Sequence, residues 1–291
     1  MVRGPFFRYF TTMHICFDGK ILPATDKILT AANKGYRYGD GLFETIKMVN
    51  SNLPLFDLHM ERLFDGMKML ELSTPRLFTT EKLKADITAL CNRNQCSALG
   101  RTRLSVSRGE GGIYEQDGDH LHYLIESWPA NSATNRLNEN GLVIGVYPHA
   151  KKSRDIFSSL KSANYLPYTM AARFAKQQHW NDCLVLNTEN NIADATIANV
   201  FLVKQGITFT PAVNEGGVKG VMRTWLIEKM RQSGYQVLEK KVSVEDALDA
   251  DEIFLTNAMN GLRWVGQMEN KSFTNQVSQS IYREFIQQLW S

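Results

Sequence analysis

The chain has little of several features that would point to other classes of protein. Its four cysteines, among 291 residues, show neither the spacing of a zinc site nor that of a common redox motif. The net charge is only +3, and no basic block indicates a nucleic-acid partner. No apolar stretch approaches the length that a membrane span needs. We therefore expect a cytoplasmic protein with reduced thiols, no metal site and no membrane partner.

What is present is enough apolar sequence for a large core. With 43% hydrophobic residues the chain can fold as two domains. The charges of Arg3 and Arg8 interrupt the first apolar run before a secretory segment could form. A polar stretch with a proline follows Trp128 and is typical of a linker. We predict a small α/β domain at 1–128, a linker at 129–137 and a larger domain at 138–291.

Hydrophobic periodicity predicts helices and strands in both parts. In the first part we expect a helix from Leu58 to Leu70, capped by Asp57, and a second helix after Thr80. The apolar face of the second helix carries Leu83, Ile87, Leu90 and Cys91. Strands are expected at 14–17, 43–49, 103–107, 121–125, 142–147, 183–187, 200–203, 207–210 and 253–256. Further helices are expected at 165–178 and 221–233.

An amine and a carboxylate suggest one kind of cofactor. Lys161 precedes a predicted helix, and Asp194 follows 33 residues later on a predicted loop. A lysine that condenses with an aldehyde, and an acid that pairs with a pyridinium nitrogen, are what pyridoxal 5′-phosphate requires. The glycines at 216–220 open a helix whose N–H groups can bind a phosphate, and Arg62 can bind the same group. These glycines form no P-loop, because no Gly-Lys-Ser/Thr follows.

Each of these residues also has a simpler interpretation. Most lysines are solvated, Arg62 could merely pair with a neighbouring acid, and a glycine-rich stretch is often a surface turn. His120 and His122 alternate on a predicted strand, but no third ligand stands at a spacing typical of a metal site.

The order of the motifs is more specific than any one of them. The motifs are Tyr38-Gly-Asp-Gly-Leu-Phe-Glu-Thr45, His59-x-x-Arg62-Leu63, Lys161-x-x-Asn164, Asp194-x-Thr196-x-x-Asn199-Val-Phe201, Thr210-Pro211 and Gly217-Val-x-Gly220-Val-Met-Arg223. Together they resemble the signature of the class IV aminotransferases over about residues 14 to 266. The resemblance implies a two-domain α+β fold of the fold-type-IV class, with a small α/β sandwich domain and a larger pseudo-barrel α/β domain.

The resemblance also implies a site and its partners. It implies pyridoxal 5′-phosphate as cofactor, a small-molecule amine as substrate, and a homodimer in which loops such as Tyr36–Tyr38 and the one at Arg108 close the site. Lys161 would be the catalytic residue. The other implied cofactor-binding residues are Arg62, Asp194, Asn199, Gly220, Val221, Met222, Thr256 and Asn257. The implied substrate-binding residues are Tyr38, Arg108 and Tyr165.

Asp194 departs from the family pattern, in which a glutamate faces the pyridine nitrogen. Aspartate is one methylene shorter, so a backbone shift, a bridging water or loss of contact has to follow. The stretch 188–193 is rich in Glu and Asn and contains no proline, and we expect it to be a loop that can shift to compensate.

Three interpretations fit this pattern. The Arg-x-His carboxylate trap of D-amino acid aminotransferases is missing after Arg108, and Asn257-Ala258 replaces the Gly-Thr usual in branched-chain enzymes. These details resemble 4-amino-4-deoxychorismate lyases, which form 4-aminobenzoate and pyruvate in folate synthesis. An amino acid aminotransferase of the branched-chain or D-amino acid type is the alternative. Asp194 leaves a non-catalytic, cofactor-binding homologue as a third interpretation.

Overall fold

The computed structural model describes residues 13–115 and 120–290. The chain forms two compact units. The first contains the residues up to Asn131 together with Lys161–Asn164, and the second contains Ser132–Leu160 and the residues from Tyr165 onward. The prediction about a secretory segment at the N-terminus lies outside the described residues.

The first unit is built on an antiparallel sheet, which has five strands among the described residues, in the order β2-β1-β5-β4-β3. Helices α2 and α3 pack on this sheet. In chain order the elements are β1 (His14–Phe17), β2 (Lys20–Pro23), α1 (Lys34–Tyr38), β3 (Gly41–Val49), α2 (Phe56–Met69), α3 (Thr80–Arg93), β4 (Leu99–Ser107) and β5 (His122–Pro129).

The two long helices of this unit bury the faces that their periodicity indicates. The predicted apolar face of α3 is confirmed, since each of its four residues is 0% exposed. Thr79 caps this helix by accepting a hydrogen bond from the Lys82 N–H at 3.2 Å. The predicted cap of α2 is wrong. The helix begins at Phe56, so Leu55 occupies the cap position and Asp57 lies inside the first turn. The Phe56 side chain is buried.

The second unit is built on a mixed sheet in the order β11-β10-β9-β12-β13-β6-β7-β8, and β14 pairs with β13. Its core includes the buried side chains Ile144, Leu184, Val200, Ile253 and Val265. The strands are β6 (Leu142–Val146), β7 (Asp182–Leu186), β8 (Ile192–Ala195), β9 (Asn199–Lys204), β10 (Ile207–Pro211), β11 (Val237–Lys240), β12 (Glu252–Asn257), β13 (Gly261–Met268) and β14 (Lys271–Ser272). The helices are α4 (Leu166–Gln177), α5 (Val221–Gln232), α6 (Val244–Asp249) and α7 (Gln276–Ile281).

Short helical turns complete this unit. A π-helical turn, Tyr282–Ile286, follows α7, and 3₁₀ turns lie at Ser132–Asn135, Val213–Glu215 and Gln287–Trp290. No helix within residues 13–115 and 120–290 combines the length and apolar character that crossing a membrane requires.

Three local expectations differ from the structure. Pro129, expected in the linker, pairs with Gly100 at the end of β5. The stretch Tyr36–Tyr38, expected as a loop, lies in helix α1, which Asn33 caps by accepting a hydrogen bond from the Tyr36 N–H at 3.0 Å. Asp194, expected on a loop, lies in strand β8 opposite Val185. A strand paired on β7 cannot shift as freely as a loop, so the compensation expected from 188–193 is restricted.

Candidate active site

Lys161 is positioned by main-chain pairing with the outer strand of the first unit. The Phe43 N–H donates to the Lys161 carbonyl at 2.9 Å, and the Ala163 N–H donates to the Gly41 carbonyl at 2.8 Å. Ser162 forms a bridge with Leu42 between these bonds. The segment 161–163 therefore extends the five-stranded sheet at β3, and it carries the amine on a rigid element.

Phe43 brings two cations together. The Lys161 Nζ lies 4.5 Å from the centre of the Phe43 ring, and the Arg103 Cζ lies 3.8 Å from the same centre. Both distances are within the range of a cation–π contact. Arg103 was not selected from the sequence. It could have been found from its strand, because Thr102, Leu104 and Val106 face the core and Arg103 alternates with them.

Arg62 belongs to a buried cluster with Glu44 and His59. Its Nε–H donates to Glu44 Oε1 at 2.7 Å, and its Nη2–H donates to Oε2 of the same carboxylate. His59 Nδ1 contacts Glu44 Oε2 at 2.6 Å. Burial raises the pKa of the Glu44 carboxyl, but the charges of Arg62 and His59 and their hydrogen bonds outweigh it and lower the pKa to about 2. The ionised carboxylate therefore fixes the orientation of the Arg62 guanidinium.

Arg108 and Tyr38 have different surroundings. The Arg108 Nε–H donates to Asp40 Oδ2 at 2.7 Å, and its Nη2–H donates to the Leu70 carbonyl at 2.6 Å. Arg108 is thus bound to its own unit through both a carboxylate and the end of α2. Tyr38 ends helix α1 and is 46% exposed. A substrate contact for either residue stays a prediction.

In the second unit, Asp194 is buried and hydrogen-bonded by three donors. Its Oδ2 accepts the Tyr168 hydroxyl at 3.0 Å and the Val218 N–H at 2.7 Å, and its Oδ1 accepts the Asn199 amide at 2.7 Å. Burial raises the pKa of Asp194, and Lys152 and these hydrogen bonds oppose that rise. A carboxylate can accept about four hydrogen bonds. Within the described residues, Asp194 therefore has capacity for one more donor.

Asn199 connects Asp194 to the start of helix α5. Its amide also donates to the Val218 carbonyl at 2.8 Å. A Cβ added at Gly220 would lie 1.7 Å from Asn199 Oδ1, so only glycine fits there. Gly220 is the N-cap of α5 and provides no side-chain cap for the first N–H groups of the helix, which include those of Val221 and Met222. An uncapped helix start of this kind suits a phosphate.

Thr256 lies near the end of strand β12, against which α5 packs. Its Oγ1 is buried and has no hydrogen-bond partner among the residues that the structure describes. A buried hydroxyl without a partner is costly, and a bound phosphate oxygen would satisfy it. The next residue, Asn257, uses its Oδ1 to accept the N–H groups of Met259 and Asn260 at 3.0 and 2.8 Å, and so supports the turn that follows.

Tyr165 precedes helix α4, and its hydroxyl donates to the Thr196 carbonyl at 3.0 Å. Thr196 is itself held by the buried carboxylate of Asp182, which accepts the Thr196 N–H at 3.0 Å and its hydroxyl at 2.6 Å. The turn that carries Thr196 therefore sets the position of the Tyr165 phenol.

The predicted site residues form two groups. Lys161 and Arg62 lie in the first unit with Tyr38 and Arg108, and the others lie in the second, where Asp194, Asn199 and Gly220 are close together. In the second unit, the uncapped helix start, the buried hydroxyl without a partner in the described residues and the buried acid suit a phosphate and a basic ring nitrogen. The first unit offers an amine that suits an aldehyde and an oriented arginine that suits a phosphate. No cluster of acidic, His and Cys side chains suitable for a metal occurs in residues 13–115 and 120–290.

Known proteins are similar to this chain in sequence. The family model of amino-transferase class IV matches residues 41–268. The aminodeoxychorismate lyase of Vibrio harveyi is 27% identical over 234 residues, which are 79% of this chain and 83% of the relative. The D-alanine aminotransferase of Bacillus licheniformis is 24% identical over 245 residues, which are 84% of each chain.

A solved structure extends the comparison to the fold. The branched-chain aminotransferase of the thermophilic archaeon Thermoproteus uzoniensis, solved with norvaline, has a TM-score of 0.85 at 22% identity. The match covers 96% of this chain and 95% of that one. The two-domain α+β fold of the fold-type-IV class, as predicted from the sequence, is therefore confirmed. By its motifs, its fold and the match over residues 41–268, this chain belongs to the class IV aminotransferase family.

Proposed function

We propose that this protein is a 4-amino-4-deoxychorismate lyase that forms 4-aminobenzoate and pyruvate. Its family membership makes it an enzyme that depends on pyridoxal 5′-phosphate and acts on a small-molecule amine. Among the described residues, the observation that carries the finer proposal is the pair of cations at Phe43, Lys161 and Arg103.

We propose a role toward the cofactor for each of the predicted residues. We assign the aldehyde to Lys161, the phosphate to Arg62, the first N–H groups of α5 and Thr256, and the ring nitrogen to the remaining acceptor capacity of Asp194. Bound in this way, pyridoxal 5′-phosphate supplies an electron sink for the electron pair that remains when the substrate loses a proton. Asn199 and Asn257 support these groups through the contacts described above.

Replacing Thr256 by valine tests the phosphate assignment. We expect cofactor affinity to fall by about 1.5 to 3 kcal/mol, since a hydrogen bond to a charged group is lost. The unfolding free energy of the cofactor-free protein should not fall, because valine removes a buried hydroxyl that has no partner in the described structure. Affinity is measured by titrating the cofactor-free protein with pyridoxal 5′-phosphate.

Thr208→Val is the matched control for this experiment. Thr208 Oγ1 is also buried without a partner in the described residues, but it lies in β10 and outside the proposed site. Its replacement should leave affinity unchanged. Equal affinity of the Thr256 variant and the wild type would remove Thr256 from the site.

Lys161 would move the proton in the lyase reaction. Once the substrate amine has displaced it, its amine can accept the proton from the ring carbon of the substrate. The bond to the enolpyruvyl oxygen then breaks, and the departing group gains a proton and leaves as pyruvate. Formation of the aromatic ring drives this elimination. The atoms balance without water, an oxidant or a second substrate.

The charge on one face of the first sheet suits this substrate. The two products of the lyase reaction each carry one carboxylate, so the substrate carries two carboxylates. Lys47, Arg101 and Arg103 lie on the same face as Phe43, because Thr45 pairs with Arg103 and Lys47 with Arg101. Glu126 opposes Arg103 on β5, and the face still keeps an excess of positive charge. We therefore assign one substrate carboxylate to Arg103.

An amino acid aminotransferase is the second candidate. The D-alanine enzyme of Bacillus licheniformis matches this chain nearly as well as the lyase does. In that reaction Lys161 would move the proton from the Cα of the substrate to a carbon of the cofactor. A 2-oxo acid would then accept the amino group.

One pair of incubations separates these candidates. We expect the purified protein to release 4-aminobenzoate from aminodeoxychorismate with no oxo acid present. A second incubation supplies leucine, valine or D-alanine with 2-oxoglutarate. Efficient amino transfer there, without release of 4-aminobenzoate in the first incubation, would contradict the lyase proposal.

The assignment of a substrate carboxylate to Arg103 has its own test. In the lyase assay, Arg103→Leu should raise KM by about tenfold or more, because one charged contact with the substrate is lost.

A homodimer and a cytoplasmic location are also proposals. The first unit exposes large apolar side chains at Tyr36 (77%), Ile113 (70%) and Tyr114 (97%), and association of two chains would cover such residues. The four cysteines are unpaired thiols, which suits a reducing compartment. Sedimentation analysis of the loaded protein tests the dimer.

A further inference from the structure

A chain of hydrogen bonds, buried at Asp194 and half-buried at its other end, leads from Asp194 to a lysine that the proposed function does not use. The Lys152 Nζ donates to the Tyr168 hydroxyl at 2.8 Å, and that hydroxyl donates to Asp194 Oδ2 at 3.0 Å. The Lys152 Nζ also donates to the Ser158 carbonyl at 2.9 Å. All of these residues belong to the second unit.

The main chain holds both ends of this chain in place. The Lys152 N–H donates to the Leu186 carbonyl at 2.8 Å, and the Thr188 N–H donates to the Lys152 carbonyl at 3.1 Å. Tyr168 lies in the first turn of α4 and is only 4% exposed. The Tyr168 hydroxyl can therefore accept from Lys152 and donate to Asp194 without rearrangement.

Lys152 places a positive charge near the buried Asp194 carboxylate. A carboxylate that is 3% exposed is disfavoured in its ionised form unless a cation lies near it. The charged and titratable groups around it are Lys152 and Tyr168, while Asp155 acts on Lys152 and Tyr165 acts on Tyr168. Burial lowers the pKa of Lys152, and Asp194 and Asp155 oppose that change.

We propose that Lys152, acting through the Tyr168 hydroxyl, keeps the Asp194 carboxylate ionised. An Asp194 that stays ionised would accept a hydrogen bond from the protonated ring nitrogen of the cofactor and so favour that protonated form. Lys152 and Tyr168 are positioning residues in this scheme. The second step rests on the proposed function of Asp194, whereas the first concerns the protein alone.

The first experiment uses the cofactor-free protein. The protonated Asp194 carboxyl is followed with pH by infrared difference spectroscopy, and its band is assigned by its loss in Asp194→Asn. In Lys152→Met and in Tyr168→Phe we expect the midpoint of this titration to rise by about one pH unit or more. Lys152→Gln keeps a hydrogen-bond donor but no charge, so it should behave like Lys152→Met. It is used instead if Lys152→Met does not fold.

The control is the neighbouring lysine, whose Nζ donates to Asn190 at 2.6 Å instead. Lys151→Met should leave the midpoint unchanged. An unchanged midpoint in the neutral Lys152 variants would overturn the proposal. A change in those variants but not in Tyr168→Phe would overturn the role of the phenol.

The second experiment tests the step toward the cofactor. With pyridoxal 5′-phosphate labelled with ¹⁵N in its ring, the nitrogen resonance of the loaded protein reports whether that nitrogen is protonated. It should move toward the unprotonated position in Lys152→Met. If Asp194→Asn leaves this resonance unchanged, the proposed role of Asp194 and the second step both fail, and the carboxyl titration still decides the first step.

Discussion

We expect the Lys161→Ala protein to turn over its substrate at least about 10³-fold more slowly than the wild type, because it lacks the amine that we propose binds the cofactor and moves the proton. The fold should persist, since the contacts that place the segment 161–163 are main-chain hydrogen bonds to Gly41 and Phe43. Turnover and thermal unfolding are measured on the same preparations.

Chemical labelling gives a second readout of the same prediction. Borohydride treatment of the loaded wild type should fix the cofactor to Lys161, which peptide mass spectrometry identifies. Lys176, exposed on α4, provides the control, and Lys176→Ala should keep its activity and its label. Recovery of the label on a lysine other than Lys161 would disprove the assignment.

The largest loss of stability is expected from Glu44→Gln. This change removes the charge that pairs with Arg62 and hydrogen-bonds His59 in a site where Glu44 is 1% exposed. Removing one partner of a buried pair typically costs about 3 to 5 kcal/mol, and we expect the unfolding free energy at pH 7 to fall by that amount. Urea unfolding measures it. Glu61→Gln, on the exposed side of the same helix as Arg62, should have little effect.

The effect of Glu44 also depends on pH, with a defined sign. The pKa of Glu44 lies at about 2 in the folded protein, below the ordinary value of 4.5. Its contribution is therefore fully present above pH 4.5 and is lost as pH falls from there toward 2. The difference in stability between wild type and Glu44→Gln should narrow over this range. A difference that is constant with pH would contradict an ionised Glu44.

The local sequence pattern was sufficient to predict features that depend only on residues of the same segment. The face of α3 follows from the spacing of Leu83, Ile87 and Leu90, and the start of α5 follows from the glycines before Val221. Lys161 could be selected as the candidate lysine because its motif is local. These features depend on neighbours within one or two helical turns.

Features that depend on pairing between distant segments could not be predicted from the sequence. Asp194 is in a strand because Val185 pairs with it on β7, although the preceding residues favour a loop. From the sequence, Lys152 looks like a solvated lysine beside Lys151. Its contact with the hydroxyl of Tyr168, 16 residues further along the chain, appears only in the fold. Arg103 gains its place beside Lys161 through Phe43 on another strand.

The pairing of the segment 161–163 with β3 has a consequence for aggregation. An outer strand with unpaired main-chain groups is a template on which a second chain can add. In β3 the segment 161–163 covers one end, and Asn52, which exchanges two hydrogen bonds with Val49 at 2.9 and 2.8 Å, covers the other. The segment that carries the Lys161 amine thus also covers part of an outer edge, so we expect a change that detaches it to promote aggregation as well as to lower activity.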